Sequence, residues 1–266
     1  MTGVAGVMAV VLAEAVAGAT ALLWLTPLWS EVKRGFFKLV GSILTVLAIA
    51  TWLSVDAGVA GRFANAGLLR GTTIAAAIAT AGWTLLLFLR GPAAARVVGL
   101  VGVPLWAATL VFMSGAARQS FPIALFQLAA GAALLGATTD GLLLGHWYLT
   151  DRRLTRRPIE RTTTILLASV ALAAAAVISA GFGGVASSSA INPLLTAGAL
   201  APWIALGMIA ATALIAILVR AVLRGERASA VQSATGFYYL AVVTAFTAEV
   251  AVKTRFLSEI GGPAVP

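Results

Sequence analysis

The stretch from Phe121 to Leu149 reads FPIALFQLAAGAALLGATTDGLLLGHWYL, and its reading decides the fold. Asp140 is its one acid, no Lys or Arg interrupts it, and it exceeds the roughly 20 residues that a helix needs to cross a hydrocarbon core about 30 Å thick. Glycines and alanines recur along it at helical spacing. In lipid such small residues let helix backbones approach, because lipid tails supply no hydrophobic force between helices. The segment therefore reads as a transmembrane helix with one acid on a face packed against other helices.

Seven further runs of the same character flank it: Val4 to Leu28, Phe36 to Ser54, Gly71 to Leu89, Arg96 to Ser114, Thr162 to Gly181, Ala201 to Val222 and Val231 to Val252. Across the 266 residues, 61% are hydrophobic and 10% charged, against about a quarter charged in soluble domains. The mean hydropathy is +1.01. These numbers predict an all-α, polytopic integral membrane protein, a bundle of about eight helices forming one transmembrane domain over residues 1–266. Ala17 to Ala21 contains an A-x-A-like run, but no basic residue precedes the apolar stretch and Glu14 interrupts it, so it is expected to be the first span and not a cleaved signal. A faint likeness between the first and fifth spans, each with one acid, a Trp-containing end and a basic turn after it, raises a parallel duplication into halves 1–118 and 119–266.

The net charge of +9 would suggest nucleic acid in a soluble protein, but here the charges lie between the spans. Alternate loops and helix ends hold thirteen Lys and Arg on one side and five on the other: Arg62, Arg70, Arg118, Lys253 and Arg255. Because translocation disfavours positive charge, the richer side is expected in the cytoplasm, with both termini outside the cell membrane. Trp24, Trp29 and Trp147 are expected at the inner interface and Trp52 and Trp203 at the outer one, with Trp83 and Trp106 as mid-span packing. The expected surroundings are the bilayer and partner subunits in or on the membrane, with no nucleic acid; the Arg152 to Arg161 cluster reads as a topology signal first and a contact for anionic lipid headgroups second.

The acids inside apolar runs are the most specific signal. Glu14, Asp140 and Glu249 interrupt spans where insertion scales charge about 2.5–3.5 kcal/mol for a central acid. Asp140 shares a helical face with Ala129, Ala133, Gly136 and Ala137, Glu14 with Ala17, Gly18 and Ala21, and Glu249 with Thr235, Tyr238, Val242 and Ala245. All three are expected to face the bundle. Glu249 precedes Lys253 by four residues, the favourable order for a helix ion pair at the interface. Glu14 has no basic residue near it in sequence. His146 lies about 9 Å beyond Asp140 along the helix and about 120° round it, in a His-Trp-Tyr cluster. Gln127, Tyr238 and Tyr239 are read as cavity-lining residues, and Gly181, Gly183 and Gly184 as a turn and not a phosphate loop.

With no cysteine and one histidine, thiolate metal sites, iron–sulfur clusters, a bis-histidine haem held by this chain and a poly-histidine metal site are excluded. No nucleophile with an orienting base is read, so the chain is not expected to be catalytic alone. The leading expectation is a membrane subunit of a respiratory-type redox complex that binds a quinone or similar lipophilic carrier, with no covalent cofactor, and conducts protons. Its candidate proton or quinone-binding residues are Glu14, Asp140, His146, Tyr238 and Glu249, with Asp140 and His146 on the cytoplasmic side and Glu14 continuing the polar path outward. A small proton-coupled transporter and a membrane scaffold or assembly factor are the alternatives.

Overall fold

The computed structural model describes residues 3–59, 65–117, 119–151, 153–181, 197–225 and 229–257. Arg62, Arg118, Arg152, Glu226, Arg227, Glu259 and the loop glycines Gly183 and Gly184 lie outside them. Among the described residues there are nine helices: α1 (Gly3–Leu25), α2 (Leu28–Glu31), α3 (Arg34–Gly58), α4 (Ala66–Phe88), α5 (Pro92–Ser114), α6 (Phe121–Thr150), α7 (Arg157–Ser179), α8 (Ala197–Leu223) and α9 (Ala230–Phe256). All but α2 are long and apolar enough to span a bilayer, so this is a multi-pass helical membrane protein. The eight spans read in the sequence correspond one to one with the eight long helices. The first of them stops at Leu25 and not Leu28, because Pro27 has no N–H to continue the ladder and disfavours a helical Thr26 before it. Prolines fall in the first turns of α5, α6 and α7, where a missing N–H costs nothing.

Lipid offers backbone groups no hydrogen bonds, so they must be satisfied within the bundle. Helix geometry does this for the backbone, and Thr73, Thr80, Thr84 and Thr163 each donate to the carbonyl four residues back. Trp106, fully buried, donates to Thr80 Oγ1 at 3.0 Å.

Helices α1, α3, α4 and α5 pack in a ring, as do α6, α7, α8 and α9, and the two rings meet chiefly where α1 lies along α6. That contact is backbone on backbone. Gly18-Ala19-Thr20 and Gly136-Ala137-Thr138 are the same tripeptide; a Cβ on Gly136 would stand 2.7 Å from Ala19 N and from Gly18 Cα, and one on Gly18 would run into the Ala132 carbonyl. Only a residue without a Cβ permits this approach. Gly141 and Gly145 do the same for α9, receiving the Tyr238 ring and the Thr235 side chain.

At the end of the bundle carrying most arginines, the basic end, ion pairs Arg161–Glu31 (2.8 Å) and Lys33–Asp151 (2.9 Å) link α2 and the residue before α3 to the second ring. The opposite, terminal end holds the start of α1 and the end of α9, where Ala117 and Leu257 form an antiparallel bridge. Trp24, one residue from the basic-end terminus of α1, is buried within the protein, packed against Trp29, Phe37 and Trp83 at centroid distances of 5.0, 5.6 and 5.2 Å and lying over Gly99. Gly99 makes room for the indole, because a Cβ there would run into Trp24 Cε2.

Candidate functional site

Glu14 points from α1 across the face of α6 at Gly131, and Glu249 arrives there from α9. A Cβ on Gly131 would stand 2.7 Å from Glu14 Cδ and 2.8 Å from Glu249 Oε2, so the glycine is the floor on which both carboxylates rest. Lys253, one turn beyond Glu249, places Nζ 2.7 Å from Glu14 Oε1 and 3.1 Å from Glu249 Oε2. It also lies 5.2 Å above the Phe256 ring, a cation–π contact that gains strength without water. Side-chain exposure is 0% for Glu14 and Lys253 and 4% for Glu249. The three groups are held by charge at short distance without a well-aligned hydrogen bond, and Glu14 Oε2 has no hydrogen-bond partner among the described residues. Two carboxylates against one ammonium leave the cluster one charge out of balance unless it carries one more proton.

Gln127 sits one turn from Gly131 on α6, on the same face. With Gln119 and Arg255 it lines a cavity of about 20 Å³ toward the terminal end, enough for a single water. The side-chain oxygens of both glutamines lack a partner among the described residues, the polar surroundings such a water needs. Toward the basic end the face of α9 below Glu249 is closed by buried Ala245 and Ala241, then by Tyr238. Tyr238 lines no opening there: it is fully buried on Gly141, with its hydroxyl 3.0 Å from Thr163 Oγ1.

Asp140 is also fully buried, but neither of its oxygens has a hydrogen-bond partner among the described residues. It lies nine residues from Gly131, which is about 13.5 Å along α6 and about 180° round it. It therefore faces away from the cluster. Trp147, seven residues on and on Asp140's side of the helix, packs against Gly35 and Phe36. His146 is bonded elsewhere: Nδ1 lies 3.0 Å from the Leu142 carbonyl, which makes Nδ1 the protonated nitrogen and Nε2 the acceptor for the Tyr239 hydroxyl. Tyr239 is half exposed.

The five candidate residues thus fall into separate places. Glu14 and Glu249 meet; Asp140, the His146–Tyr239 pair and Tyr238 do not join them. The expected path from Asp140 and His146 outward through Glu14 is not a continuous one in this structure. Lys253 is the residue missed, since it read as an interfacial partner for Glu249 and a loop-side charge, and its spacing to Glu249 was the available signal. Among the described residues, no group of three or more His, Asp or Glu side chains is arranged to hold a metal ion.

No protein-family model matches this sequence, and no curated protein or solved structure matches it.

Proposed function

We propose that this chain is an integral membrane subunit that handles protons for a lipophilic redox carrier of the quinone class, with Glu14, Lys253 and Glu249 as its proton-loading site. The observation that carries the reading is the cluster itself: two carboxylates and one ammonium, brought together from the first and last helices and sealed from lipid. A buried ionic group of this kind is costly and is retained where it works on protons or ions. What supports proton exchange toward the terminal end is the small cavity there lined in part by Gln127, one turn from Gly131, and Gln119; the charge asymmetry of the loops supports reading that end as the outer one.

The carrier's tail has a seat across the α1–α6 seam. An apolar cavity of about 260 Å³ there is walled by Gly18, Ala132 and Leu110, with no hydrogen-bonding side chain in its lining; it opens where Ala107 and Ala129 are exposed. It suits an isoprenoid chain and not a headgroup. With no cysteine and one histidine, the redox centres belong to partner subunits. A second reading, a proton-coupled transporter, is favoured by the packing of two four-helix rings about the seam that holds the cluster, which a duplication of halves 1–118 and 119–266 would generate.

Infrared difference spectroscopy of the purified full chain in nanodiscs, across a pH step, tests the loading site. A carboxyl band is expected that changes in Glu14→Gln and in Glu249→Gln; a band indifferent to both overturns it. Stoichiometric redox subunits retained in mild detergent support the first reading, and a lone oligomer driving proton-coupled uptake in liposomes replaces it with the second. Orientation is checked with an impermeant maleimide on intact cells, which should label Gly67→Cys and leave Thr155→Cys unlabelled.

A further inference from the structure

The basic end carries a second site, unconnected with the cluster. Between the start of α7 and the end of α8 lies a cavity of about 360 Å³ with Arg157, Arg161, Arg220 and Arg224 in its wall. Four guanidinium groups face two carboxylates among the described residues, Glu160 in the lining and Glu31 bonded to Arg161 from outside, an excess of two cationic charges there. Arg157 and Arg224 make no ion pair among the described residues.

The others are already held in place. Arg161 donates both terminal nitrogens to Glu31, at 2.8 and 2.9 Å. Arg220 donates to Thr164 Oγ1 at 3.3 Å, and that hydroxyl donates to the Glu160 carbonyl. Arg156 reaches from the start of α7 to the Leu223 and Gly225 carbonyls, which ties the two walls together. The N-terminus of α7 adds its dipole beside Arg157. A preformed pocket with two guanidinium forks that make no ion pair among the described residues, and an excess of positive charge there, matches the oxygens of a phosphate, which arginine binds in bidentate fashion.

We propose that this cavity binds a phosphate group, either the headgroup of an anionic phospholipid or a free phosphate. The full chain in detergent is titrated with phosphatidylglycerol in mixed micelles, with phosphatidylcholine, and with inorganic phosphate, and thermal melting is followed. A rise in melting temperature with phosphatidylglycerol alone identifies the lipid headgroup; a rise with inorganic phosphate that also competes with the lipid identifies the free anion. Arg157→Gln combined with Arg224→Gln should weaken the response about tenfold or more, while Arg90→Gln, a basic-end control outside the cavity, keeps it. Both cavity positions are exposed, and an unchanged circular dichroism spectrum verifies folding. No rise with either phosphate, a rise with phosphatidylcholine of the same size, or a double variant that responds like the parent overturns the proposal.

Discussion

Glu14 and Asp140 are buried to the same degree, each on a helix face built of small residues, and the bundle treats them differently. Glu14 meets an ammonium at 2.7 Å and a second carboxylate near it, and a small cavity lined in part by Gln127 lies toward the terminal end. Asp140 has no hydrogen-bond partner among the described residues. Sequence alone weighs these two acids almost alike, since both interrupt apolar runs. The difference teaches that burial creates the cost of an acid, while a partner on a different helix decides whether the cost is offset and put to use. An unpartnered buried acid is tolerated as a neutral group; a partnered one is part of an electrostatic unit whose members fail together.

The largest expected effect comes from taking away the partner. Lys253→Met leaves two carboxylates facing each other in an apolar site and should cost about 3–5 kcal/mol, read as a fall in melting temperature in detergent. Adding Glu14→Gln should recover part of that loss. If Lys253→Met melts like the parent, the cluster is no electrostatic unit and the contrast with Asp140 collapses.

Next is a change that touches no charge. Gly18→Val drives a side chain into the Ala132 carbonyl and should cost about 1–3 kcal/mol or more by overpacking. Because it forces α1 off α6, it should also alter the carboxyl infrared band of the cluster; a lowered melting point with an intact band would mean that the cluster is set by α9 alone. Asp140→Asn is expected to change stability by less than about 1 kcal/mol, since no hydrogen bond is lost, and to leave proton uptake in place. Lost uptake in a well-folded Asp140→Asn protein would move Asp140 into the proton path and erase the distinction drawn here.

The smallest effect belongs to a pair outside the spans. The hydrogen bond from Arg161 holds the Glu31 carboxyl below its ordinary range, so its contribution is complete above the usual carboxylate value, near pH 4.3, and fades as pH falls through the lowered one. The pair is partly exposed and worth about 0–1 kcal/mol. Glu31→Gln should therefore melt slightly lower at neutral pH, and the gap to the parent should close as the solution is made more acidic. A gap that widens on acidification would contradict the sign.

Individual residues mark how far the sequence was readable. The small-residue stripes beside Glu14 and Asp140 correctly indicated that both face the bundle, because helical period alone relates a residue to its own face. The same logic linked Glu249 to Lys253, four residues apart, but made the pair interfacial. The partnership of Lys253 with Glu14 had no local signal, because it joins opposite ends of the chain; the separation of Asp140 from His146 was legible in the helical period, which turns them about 120° apart, but the partner His146 takes instead, Tyr239 on α9, was not. The burial of Trp24 had no local signal either: its slot is supplied by Gly99 on another helix.

From the sequence by itself came the number of spans, the asymmetry of charge between the two ends, and the inward direction of the acids. These rest on length, composition and the 3.6-residue period, which act within one helix or its flanks. Tertiary structure alone decided that α1 lies against α6 through Gly18 and Gly136, and hence that Glu14, Glu249 and Lys253 share one buried site while Asp140 stands apart. The physical reason is that lipid contributes no hydrophobic preference between one apolar helix and the next, so the choice of neighbour passes to close packing at particular glycines and to pairing between distant charges.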